Sequence, residues 1–73
     1  MLDLGNVPAG QDCEILWMFG PYSETLKKKF RLAESKIMHV VSNLGTGYVI
    51  VTVDGKKMAI SSDVSSMLKV QPC

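Results

Sequence analysis

The sequence predicts a mainly β domain: a small, strongly bent antiparallel barrel of five short strands, with one short α-helix after the first strand and a 3-10 or one-turn helix before the last. Three observations carry this. Gly47 to Ser61 reads as one β-hairpin, because Asp54-Gly55 between two β-rich runs is the dipeptide that a type I′ turn prefers, both central residues needing positive φ. Cys13 to Phe19 and Ile37 to Ser42 are two further β-rich runs. Helical spacing is confined to one short stretch, where Leu26 and Phe30 stand four residues apart. Short strands with so little helix to cover them resolve their open edges most simply by curling into a barrel.

Taken in order, Leu2, Leu4 and Val7 lead into Val7-Pro8-Ala9-Gly10, which suits a type I turn with Pro second and Gly fourth. Alternation along the first strand puts Cys13, Ile15, Trp17 and Phe19 on one face and Leu16 and Met18 on the other. Both faces are apolar. Either both sides are covered, or a bulge switches faces midway, or one apolar set is left exposed as a contact surface. Gly20-Pro21 ends that strand, and Ser23 is the expected N-cap of a helix running to Leu32 or Ala33. Glu24 precedes Lys28 by four residues, and Lys27, Lys28 and Lys29 form its wet side.

In the next strand Met38 and Val40 share one face, with Ile37, His39 and Val41 on the other, and Asn43-Leu44-Gly45-Thr46-Gly47 loops back into the hairpin. The hairpin register sets Val49, Val51 and Val53 against Met58 and Ile60 as the core face, and turns Tyr48, Ile50, Thr52, Lys57 and Ala59 outward. Ser61 to Ser66 favours a single helical turn, with Asp63 as a cap, because Ser and Asp side chains compete for backbone groups. Met67 to Val70 is the last strand, Leu68 and Val70 inward, and Gln71-Pro72-Cys73 is expected to be a loose tail.

The 73 residues make one domain, spanning 1–73, near the size at which a single core only just outweighs chain entropy. Eight Lys and Arg against seven Asp and Glu argue against a nucleic-acid partner. The longest unbroken apolar run, Ile15 to Phe19, is far short of a membrane span, so no direct membrane insertion is expected. Asp3 stands where a signal peptide would carry Lys or Arg. These features, with two cysteines that form neither a disulfide framework nor a CxxC pair, place the chain in the cytoplasm.

The inventory for catalysis is poor. His39 is the single histidine, and the acidic residues are scattered without D-x-D or E-x-x-H spacing, so neither a catalytic pair nor a metal or cofactor site is expected. Cys13, His39 and Cys73 are the weak metal-ligand candidates, with Cys13 read as a buried inert thiol and Cys73 as a flexible terminal one. Gly45-Thr46-Gly47 is too short for a phosphate loop. The surface is more informative: Trp17, Tyr48 and Ile50, with Lys27 and Lys28 on the helix, are the candidate protein-contact residues, since Trp and Tyr are enriched at interface centres.

Val7-Pro8-Ala9-Gly10-Gln11, Ile15, Phe30-Arg31-Leu32, Met38-His39-Val40-Val41, the Gly47 to Ile60 hairpin and Leu68-Lys69-Val70 together resemble the ferrous iron transport protein A (FeoA) family over nearly the whole chain. The hairpin matches best, through Val51, Val53, Gly55, Met58, Ala59 and Ile60. The departure is at the helix end, where Phe30-Arg31-Leu32-Ala33-Glu34-Ser35 replaces the family's "LGL.PG", with Arg31 and Ser35 in the glycine positions. Because positive φ is costly for residues with a Cβ, that turn is expected to be reshaped. Ser61 also replaces the family's common Arg. The resemblance implies an SH3-like barrel acting without catalysis beside a membrane ferrous iron transporter (FeoB) with a cytosolic GTPase domain. It also implies, as the alternative, an SH3-like regulatory, adaptor or transition-metal-binding domain akin to the C-terminal domain of iron-dependent repressors. A monomer or weak homo-oligomer is expected.

Overall fold

A computed structural model describes residues 2–45 and 47–73. Met1, and Thr46 in the expected loop and Gly45-Thr46-Gly47 motif, lie outside the described residues. Six antiparallel strands form one sheet in the order β1-β6-β2-β3-β4-β5. They are β1 (Leu2–Asp3), β2 (Asp12–Met18), β3 (Ile37–Asn43), β4 (Val49–Val53), β5 (Lys56–Ile60) and β6 (Leu68–Pro72), with helices α1 (Ser23–Lys28) and α2 (Ser62–Ser65). The sheet curls around one core to which every strand from β2 to β6 contributes buried side chains, the SH3-like arrangement. The five expected strands are all present, and the sixth, β1, adds two residues opposite Val70 and Lys69.

The β4-β5 hairpin carries the register that its turn dictates. Asp54 and Gly55 adopt φ of 53° and 80°, Val51 faces Met58, and Val49 faces Ile60. Val49, Val51 and Val53 are buried. On β2 the bulge reading is the one realised. The pairing with β6 shifts register between Ile15 and Trp17, so Cys13, Ile15 and Met18 all point inward while Trp17 points out. The shift spares the protein a strand with two apolar faces to cover. Leu4 and Val7 are fully buried as well, held by the Asn43 Nδ2 group donating to the Gly5 and Val7 carbonyls at 2.9 and 2.7 Å. The following turn sits one residue later than expected: Gln11 N–H donates to the Pro8 carbonyl, and Gly10 takes φ of 88° in the third position, as a type II turn requires.

Three expectations fail, one through a local turn and two through contacts with distant strands. The helix α1 ends at Lys28 rather than at Leu32 or Ala33, and its N-cap is Tyr22, without a side-chain cap bond; Ser23 is the first helical residue. It stops because the Leu32 N–H folds back to the Leu26 carbonyl at 3.0 Å, with Arg31 at φ 57° between them. The turn at Arg31 and Ser35 is therefore kept rather than reshaped, Ser35 taking φ of 75°. Backbone bonds from Ser35 N–H to the Ile15 carbonyl (2.8 Å) and from Ile15 N–H to the Lys36 carbonyl (2.9 Å) over-determine that conformation. Lastly, Gln71-Pro72-Cys73 is not a loose tail. Gln71 and Pro72 belong to β6, opposite Glu14 and Cys13, and the Cys73 N–H donates to the Asp12 carbonyl at 3.0 Å. That bond leaves Pro72 at a position where an N–H would point away from β2, so its missing donor costs this ladder nothing.

Candidate protein-contact groove

The sheet leaves β5 as one of its two edges, and the fold sets α1 and its C-terminal turn beside it. Leu26 faces inward from the last full turn of α1, whereas Phe30, just past the helix end, is 41% exposed. It does not stack into the core as helical spacing predicts, because the chain has already left the helix. Phe30 and Leu26 form one wall of an open apolar groove of about 220 Å³; Tyr48, Met58 and Ile60 lie across from them, and Val64 of α2 closes the end. The Ser61 hydroxyl caps α2 by accepting from the Val64 N–H, so the cap is Ser61 and Asp63 sits in the first turn.

The groove continues past Phe30 and Met58 into a polar depression lined by Lys29, Arg31, Lys56 and Lys57, with Asp54 as its carboxylate. Asp54 is engaged by Lys36 Nζ at 2.5 Å. The depression therefore presents an excess of positive charge next to an apolar trough.

The candidate contact residues fall into separate places. Tyr48, 64% exposed, lies in the groove, and Lys27 and Lys28 are exposed on α1, with Lys28 3.8 Å from Glu24 as its spacing anticipates. Ile50 is half-buried on the outer face of β4 opposite Ala59. Trp17, 51% exposed, stands apart near β6 and packs on Phe19 with ring centroids 5.2 Å apart; Lys69 Nζ lies 5.5 Å over the Phe19 ring and pairs with Asp3. Sequence reasoning missed Phe30 as a surface group and Lys56, Lys57 and Val64 as groove residues. The signal available for Phe30 was Arg31 and Ser35 in glycine positions, which marks the helix end.

The metal-ligand candidates gather at one end of the sheet but do not converge. His39 Nδ1 is 2.5 Å from Asp12 Oδ1, across the β2-β3 pair. Cys73 follows β6 beside Asp12 and is exposed. Cys13 points into the core, where burial, with lesser contributions from nearby Cys73 and Asp12, pushes its thiol up to about 11. A thiol in that state is neither a ready ligand nor a nucleophile near neutral pH. Among the described residues, no group of three or more His, Cys, Asp or Glu side chains is placed to hold a metal ion.

No family model and no curated protein matches the chain. A solved structure does: an iron uptake regulatory protein (FeoA), which superposes with a TM-score of 0.87 over 99% of this chain and 97% of that chain. The chain has a FeoA-like fold. The two sequences are 16% identical, so the likeness lies in the backbone path. Within that fold, no helix of the described residues is long and apolar enough to cross a membrane.

Proposed function

We propose that the chain is a non-enzymatic, cytoplasmic accessory protein of ferrous iron uptake, acting by contact with a membrane ferrous iron transporter and that transporter's cytosolic GTPase domain. The single observation that carries the reading is the FeoA-like fold over the full length of a protein described as an iron uptake regulator. Exposed aromatic and basic groups support contact as the mode of action: Tyr48 in the open groove, and Lys27 and Lys28 on the exposed side of α1. Trp17 and Ile50 supply further contact surface on other parts of the barrel. The iron itself passes as cargo of the transporter, and no cofactor is needed.

Fe²⁺ uptake measured in cells lacking the chain, then complemented with variants, tests this. Wild type and the Cys13→Ser, Cys73→Ser double variant restore uptake alike, while Tyr48→Glu combined with Lys27→Glu and Lys28→Glu does not. Loss of uptake in the cysteine variant with retained folding would instead make the chain a direct Fe²⁺ carrier, the role in which Cys13, His39 or Cys73 would serve as ligands.

A further inference from the structure

We propose that the open edge of β5 takes an extended peptide strand, acidic where it passes Lys56 and Lys57 and apolar where it enters the groove between Leu26, Phe30 and Ile60. The inference rests on the reading of this chain as a contact module, and is independent of iron. The first observation is the hairpin ladder. A two-residue turn makes Val53 and Lys56 a hydrogen-bonded pair, so alternation gives the same status to Val51 with Met58 and Val49 with Ile60. The N–H and C=O groups of Lys57 and Ala59 therefore point away from β4, to the side that no strand covers. Among the described residues, no loop, helix or side chain takes up these groups.

The second observation is the wall opposite. Leu26 at the end of α1 and Phe30 line the same trough as Ala59 and Lys57, so the edge of β5 borders it on one side and the helix end on the other. An added strand would satisfy its own backbone against Lys57 and Ala59 and place alternate side chains in the trough.

The third is charge. Lys29, Arg31, Lys56 and Lys57 surround one stretch of the trough, and its lining carboxylate, Asp54, is engaged by Lys36. A strand with acidic side chains over this stretch and an apolar one beyond it is the complement. A second copy of this chain is not: antiparallel pairing of β5 with its twin about Met58 lays Lys56 opposite Ile60, which sets the basic stretch against the apolar one.

The test is a titration of ¹⁵N-labelled protein with a synthetic octapeptide carrying three glutamates at one end and alternating Leu and Thr at the other, made in both chain directions. One direction is expected to slow amide hydrogen exchange at Lys57 and Ala59 and to shift Phe30 and Ile60. N-methylating alternate residues of that peptide, which leaves the protein untouched, weakens binding at least ~10-fold. So does the Lys56→Glu, Lys57→Glu variant, and Ala59→Pro removes the bond at its own position while keeping the hairpin. No binding of either peptide by ~1 mM, or binding that leaves Lys57 and Ala59 unprotected, overturns the proposal. Concentration-dependent protection of the two amides in protein alone overturns it in favour of a second copy. Because the probe is a peptide, these failures are separate from a failure of the transporter contact, which can use another surface.

Discussion

Replacing Arg31 with glycine should stabilise this protein, and so should the same change at Ser35. Both residues hold positive φ, 57° and 75°, and both are exposed, so neither substitution removes buried contacts. An L-residue in the left-handed region costs about 1 to 2 kcal/mol through its Cβ. Glycine removes that cost but frees the unfolded chain, which returns about 0.4 to 1 kcal/mol. The net expectation is a gain of about 0 to 1.6 kcal/mol per site, centred on about 0.8, which at that centre is about 3 to 6 °C in Tm for a domain of this size. Arg31→Ala and Ser35→Ala are the controls. They shorten the side chain without relieving the backbone and should stay within about 0.5 kcal/mol of wild type. Urea unfolding read by tryptophan fluorescence, with m unchanged, measures all four; the double glycine variant need not be additive because both sites share one turn. Glycine variants less stable than their alanine counterparts at both sites would refute the reasoning, for then the turn would not sit in the left-handed region.

Three further outcomes are expected. Val51→Ala, at a fully buried position facing Met58, costs about 1 to 3 kcal/mol in denaturant unfolding, and Ile50→Ala, on the outer face, less than about 1; equal losses would mean the faces are reversed. The Cys13 thiol, raised by burial from its ordinary value of 9.0 to about 11, favours the protonated native state. Its contribution is therefore complete below pH 9 and is lost as pH rises from 9 through 11, by on the order of 2 kcal/mol. Cys13→Ala should show less of that alkaline decline than wild type, and an identical decline in the two proteins would remove Cys13 as its source. Gly20 has φ of 88° and lies where a Cβ would collide with the Met67 Sδ, so Gly20→Ala should cost about 2 kcal/mol in the same assay, and a neutral result would mean the Gly20 turn differs.

Local chemistry was enough to read the hairpin, the inward faces of β3 and β6, and the bulge as one of three ways to reconcile an apolar β2 with one core. Asp54-Gly55 needs no distant partner to set its register. What escaped were features that depend on chain segments far apart in sequence. Nothing in Leu2-Asp3 or in Gln71-Pro72-Cys73 marks a strand until Val70 and Asp12 are placed beside them. The length of α1 was misjudged because Leu26 and Phe30 satisfy helical spacing, yet the bonds that end the helix run to Leu26 itself and, at Ser35, to Ile15 on β2. The same error hid the groove, since a Phe30 packed in the core leaves nothing opposite β5. Tyr48 and the lysine-bearing helix were recognisable as surface, but their meeting with Lys56 and Lys57 around one trough is a product of the curled sheet.

The most direct measurement is a titration of ¹⁵N-labelled protein with the cytosolic GTPase domain of the ferrous iron transporter from the same cell, in nucleotide-free, GDP-bound and GTP-analogue forms. The account predicts saturable amide shifts centred on Tyr48, Phe30 and the Lys27 to Lys29 side of α1 in at least one nucleotide state. An absence of shifts in all three would contradict it.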